Sequence, residues 1–100
     1  MEDYRLIIYP AAQNDLEDIE SHLSNRDLEE AVRFIGLLAD KLKILSKSPG
    51  SCPPAKDMQL RLRGYRTMLI DNHIIFYTIK ADTVQLRRII FARRQYEWLL

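Results

Sequence analysis

After Pro10 the apolar residues of this chain change period once, and that change limits what the chain can fold into. Ala12, Leu16, Ile19 and Leu23 recur at steps of four, three and four, the spacing of one stripe along a helix. Leu28, Val32, Ile35, Leu38, Ala39, Leu42 and Leu45 continue at helical spacing in a second, longer segment. From Tyr65 onward the pattern becomes that of strands. His73–Lys80 places Ile74 and Phe76 on one face and Ile75, Tyr77 and Ile79 on the other. A strand apolar on both faces belongs in the middle of a covered sheet. Helices followed by strands give the α+β class, one helical layer against a small sheet.

The joints support that division. Tyr4–Tyr9 reads as a short strand closed by Pro10, a residue suited to the first helical position because its missing N–H would be unpaired there anyway. Asp15, Glu17, Asp18 and Glu20 load the first helix with acid, favourable for its dipole. Asn25-Arg26-Asp27 breaks it, and Asp27 with Glu30 three residues on has the form of a capping box for the next helix. Lys41, Lys43 and Lys47 crowd the end of that second helix before Ser48-Pro49-Gly50 stops it. So short a connection makes the pair an antiparallel hairpin. Gly50–Asp57, with Pro53-Pro54, is expected to be an irregular crossing loop. Gln59–Arg63 is a β-type run that either pairs with neighbours or only leads in; Tyr65–Asp71 and His73–Lys80, joined around Asp71-Asn72, and Val84–Phe91 are the strands. Arg93–Leu100 predicts a short terminal helix with Trp98, Leu99 and Leu100 on its apolar side. The expectation is an N-terminal strand, a helical hairpin, then a three- to four-stranded, mainly antiparallel sheet and a short C-terminal helix.

One hundred residues with 29% charged side chains describe a single globular domain, 1–100. No apolar run reaches membrane-spanning length, and Met1-Glu2-Asp3-Tyr4 lacks the basic-then-apolar order of a signal peptide, so no membrane association is expected. Cys52 stands alone, which excludes an internal disulfide and points to a cytoplasmic location. His22, His73 and Cys52 lack the spacing of metal ligands, and the glycines form no phosphate-cradling loop, so neither metal nor cofactor is expected. His22 reads as a polar-face residue of the first helix, and His73 as a strand-end residue beside a turn.

The charge is polarised beneath a total of +1. Residues 1–55 carry 6 basic and 10 acidic side chains, and residues 56–100 carry 9 and 4. A basic half of this kind suits an acidic or polyanionic partner. Arg61 and Arg63 alternate along what reads as one strand face, and Arg66 follows Gly64-Tyr65. Arg88, in a regular strand, shares a face with Val84, Leu86 and Ile90; a guanidinium there must reach a carboxylate from the helices, reach solvent, or line a groove. Arg93 and Arg94 stand where the last strand ends, and Tyr96 follows as either a stacking group or an anchor of the tail.

These residues, in order, resemble the RelE/ParE superfamily of bacterial type II toxin–antitoxin toxins over nearly the whole length. The resemblance is carried by Tyr4-Arg5-Leu6, the Pro10-Ala11-Ala12-x-x-Asp15-Leu16-x-x-Ile19 helix start, Ala31 and Phe34. It continues through Leu45-x-x-x-Pro49, Leu62-Arg63-Gly64-Tyr65-Arg66, Ile75-Phe76-Tyr77, Val84-x-Leu86-x-Arg88-Ile89 and Arg93-Arg94. It implies a cognate antitoxin, expected to bring an acidic C-terminal segment and to form a hetero-oligomer with the toxin. Two activities occur in the superfamily. RelE-like members cleave mRNA on the ribosome without metal, which would assign catalysis to Arg66, Arg93 and Tyr96. In their pattern lysines precede the Gly-Tyr-Arg, where this chain has Asp57 and Gln59, with Lys56 just outside. Arginine stabilises charge well but is a poor proton shuttle. ParE-like members bind DNA gyrase and need no acid–base constellation, so the departures favour that side, and a non-enzyme. Arg61, Arg63, Arg88 and Arg94 are then the expected antitoxin- or target-binding residues. The remaining alternative is a degenerate homologue that only binds its antitoxin.

Overall fold

The computed structural model describes residues 3–92; the expected terminal helix, with Arg93, Arg94 and Tyr96, lies outside the described residues. The elements are β1 (Arg5–Ile8), α1 (Pro10–Arg26), α2 (Leu28–Lys47), a 3-10 turn at Pro49–Ser51, α3 (Met58–Leu62), β2 (Arg66–Ile70), β3 (His73–Lys80) and β4 (Thr83–Phe91). They form an α+β fold whose four-stranded sheet runs in the order β1-β4-β3-β2. β2, β3 and β4 are joined as antiparallel neighbours, and β1 adds in parallel to β4, with Arg5 opposite Thr83 and Ile8 opposite Leu86.

A single residue, Asp27, turns α1 into α2. Its N–H closes α1 on the Leu23 carbonyl at 2.8 Å. Its side chain caps α2 by accepting from the Glu29 N–H at 2.9 Å. Only half of the expected capping box therefore forms. The Asp27 amide that Glu30 would have accepted from is already used, and Glu30 pairs instead with Arg26 at 3.5 Å.

Both faces of β3 are buried, each under a different cover. Ile75 and Tyr77 lie in the larger core with Phe34, Leu38 and Leu45 of α2, Ala12 of α1, and Val84, Leu86 and Ile89 of β4. Phe76 lies on the opposite face in a smaller core with Ala55, Leu60, Tyr65 and Ile90, and Ile74 packs against it. The alternation along His73–Lys80 thus assigned both faces correctly.

Two expectations are corrected. Gln59–Arg63 forms no strand; Met58–Leu62 is helical, with Asp57 accepting from the Leu60 N–H at 3.0 Å and Gly64 following at φ 84°. Five residues cannot show a period, whereas the cap before them and the left-handed glycine after them mark a helix. The buried face of α2 is also rotated in its first half. Ala31 and Phe34 are buried while Leu28 and Val32 are 67% and 66% exposed, so the stripe expected through those two turns away from the sheet. Leu38 and Leu45 lie where expected.

Candidate functional site

Arg88 owes its position to a β-bulge. Tyr77 pairs with Leu86 but its neighbour Phe76 pairs with Arg88, so Arg87 is an extra residue in β4 without a partner across the ladder. The bulge resets the alternation: Leu86 and Ile89, an odd number of residues apart, both enter the helix-side core. Past the bulge Arg88 therefore alternates with Ile90, opposite Phe76, and no longer with Val84 and Leu86. Its guanidinium grips Asp15 of α1 through two bonds, 2.7 Å from Nε and 2.9 Å from Nη2. Asp15 also accepts from the Ile89 backbone N–H at 3.0 Å. β1 ends opposite Leu86, so beyond that point a side chain from α1 takes over the edge of β4. The pair is mostly buried, and the bonds to Asp15 raise the Arg88 pKa above its already high value. Of the alternatives open for Arg88, the structure selects the carboxylate.

Arg66 opens β2 and serves the crossing loop. Its Nη1 donates to the Cys52 carbonyl at 2.6 Å, with the Gly50 carbonyl at 3.4 Å. Nearby, the buried Tyr77 hydroxyl donates to the Pro49 carbonyl at 2.6 Å. Burial, reinforced by the Cys52 side chain, drives the Tyr77 pKa well above its ordinary value, so this phenol stays protonated. Together the two residues hold the 49–52 turn against the sheet. Asp57, at one of the lysine positions of the RelE-like pattern, is used as the cap of α3.

Arg61 and Arg63 do not project side by side from a strand, because both stand at the end of α3, where Arg63 is the C-cap. Arg63 instead lies over the ring of Tyr65, with Cζ 5.4 Å from its centroid. Arg87, the bulge residue, lies over the same ring at 5.5 Å and over Tyr9 at 4.4 Å. This Tyr9–Arg87–Tyr65–Arg63 cluster was not singled out from the sequence. The signal available was the adjacent Arg87-Arg88 pair inside an apolar strand: regular pleating sends neighbours to opposite faces, and here both faces are core.

A cleft of about 730 Å³ opens where α1 and α2 meet the β2–β3 turn, lined by His22, Phe34, His73 and Phe91 and by the ion-paired Arg33 and Asp71. His73 sits edge-on to Phe34 and Phe91, with ring centroids 5.3 and 5.6 Å away, and its Nδ1 is buried without a hydrogen-bond partner among the described residues. Burial lowers the His73 pKa; His22 pushes in the same direction and Asp71 against it. His22 is itself exposed on α1, as its position in the sequence suggested.

Comparison with known proteins agrees with this architecture. The sequence pattern of the ParE toxin of type II toxin–antitoxin systems, parDE, matches residues 6–96. The chain belongs to the ParE toxin family. It is therefore the toxin component of a type II toxin–antitoxin system, within the RelE/ParE superfamily. A chain of the chromosomal ParDE system from P. aeruginosa superposes with a TM-score of 0.73 at 20% identity, covering 90% of this chain and 97% of that one. A chain of the RelBE2 toxin–antitoxin complex from Mycobacterium tuberculosis gives 0.58 at 21% identity, covering 89% and 98%. A search of curated proteins finds no match. In the ParE-family fold, the Asp15–Arg88 clamp ties the first helix to the bulge of the last strand.

Proposed function

We propose that this ParE-family chain arrests growth by binding DNA gyrase and is neutralised by a cognate antitoxin with an acidic segment. The observation that carries the reading is the use of Arg66. A metal-free ribonuclease needs a group to activate the ribose hydroxyl and a cation free to meet the crowded phosphate. Here the Arg66 arm is bonded to loop carbonyls, and Asp57 caps a helix where the nuclease pattern has lysine. Binding asks only for a surface. The basic surplus after residue 55 supports an acidic partner, and both structural relatives come from toxin–antitoxin systems. The cytoplasm is where such a target and partner would be met.

Induced expression, followed by plasmid supercoiling and transcript integrity in the same culture, tests the reading. Altered supercoiling with intact transcripts is expected, whereas codon-linked cleavage with normal supercoiling would overturn it. The antitoxin part is read separately, as rescue of growth by the co-expressed partner.

A further inference from the structure

We infer that Arg87 is a docking point for a carboxylate on an acidic peptide segment. The bulge that admits Arg87 gives it no partner across the ladder, and two tyrosine rings hold its guanidinium at 4.4 and 5.5 Å. Such contacts fix the orientation of a planar cation and remove part of its water, while leaving its in-plane N–H edge unused. Among the described residues the Arg87 side chain makes no hydrogen bond and no ion pair, although it is half-buried. The contrast with its neighbour is direct: Asp15 meets Arg88 through two charge-assisted bonds, and nothing equivalent meets Arg87.

The geometry favours a carboxylate over a nucleic-acid backbone. One held fork matches one two-oxygen acceptor, and bidentate pairing of this kind is the strong form of the arginine–carboxylate bond. A phosphate backbone brings a charge at every step and gains affinity from a row of cations. Among the described residues the neighbouring cations are Arg63, which shares the Tyr65 ring, and Arg88, which is already paired with Asp15, so the row is short. The identity of the partner rests on the acidic antitoxin segment proposed above, whereas the carboxylate chemistry rests on the site.

Fluorescence anisotropy with a labelled decaglutamate peptide, at low salt, reads the site without the antitoxin. Arg87→Gln should weaken binding about tenfold, and Arg87→Lys nearly as much, because an ammonium cannot present two parallel N–H groups. Lys80→Gln, which removes an exposed charge at the far end of β3, is the control and should cost less than about twofold. Equal losses for Arg87→Gln and Lys80→Gln would overturn the proposal in favour of a diffuse field. A short DNA duplex that binds more tightly than the peptide and depends equally on Arg87 would overturn it in favour of phosphate. Circular dichroism of each variant excludes unfolding as the cause. Failure of the antitoxin reading shows elsewhere, in growth rescue, so the two failures are separable.

Discussion

The two faces of the sheet are built on different terms. The face under α1 and α2 is a broad apolar core in which Phe34, Leu38, Leu45, Ile75, Tyr77, Val84 and Leu86 close around one another. The face under α3 is a small core, and beside it Tyr65 gathers Arg63 and Arg87. A chain of this size needs one face that excludes water thoroughly, and the helical hairpin supplies it. The other face can carry charge because its cover is a five-residue helix and a loop. Stability is concentrated on the first, and the unused chemistry lies on the second.

Truncating each core tests that contrast most strongly. Leu45→Ala should cost about 4 kcal/mol and Leu60→Ala about 2–3 kcal/mol in urea unfolding, since both side chains are fully buried but the smaller core relaxes more easily around the lost atoms. Equal losses would mean that α3 is packed as rigidly as the hairpin.

The junction of the two faces comes next. Asp15→Ala removes both bonds to Arg88 and the acceptor of the Ile89 amide, and should cost about 3 kcal/mol by the same measurement. A loss below about 1 kcal/mol would show that the bulge holds itself without α1.

The β3–β4 turn offers a smaller gain. Ala81 sits at φ 54°, where an L side chain is strained and glycine is not, so Ala81→Gly should raise stability by about 0.5–1 kcal/mol. A lower melting temperature would contradict that.

The smallest effect is a slope with pH. The His73 pKa lies below its ordinary value of 6.5, mainly through burial. The unfolded chain therefore takes up this proton more readily than the folded one. The contribution of His73 is whole above the ordinary value and is lost as the pH falls through it toward the lowered folded value. His73→Gln should flatten the unfolding midpoint between pH 5 and 7 relative to the parent. Parallel curves for the two proteins would place the titration elsewhere.

Much of the fold was visible in the residues because burial on a regular element leaves a periodic trace. His73–Lys80 announced a central strand from both of its faces, and Ala12, Leu16, Ile19 and Leu23 announced one helix stripe. Where an element is short or irregular no trace forms. Gln59–Arg63 read as β-type where Met58–Leu62 is helical, and Leu28 and Val32 gave α2 a stripe that packing shifts to Ala31 and Phe34.

The candidate site divides in the same way. The sequence by itself determined the order of the long elements, the ParE-family pattern and the surplus of arginines in the second half, because these are local or compositional properties. Only the tertiary structure decided what each arginine does. A one-residue bulge shifts every side chain after it to the other face, and no local preference announces that shift. Beyond it Arg88 meets Asp15, 73 positions away, at the edge of β4 that β1 has left, and Arg87 lies over two tyrosines with its edge unused among the described residues. Two neighbouring arginines, alike in sequence, differ in role because one of them is the extra residue that β4 admits.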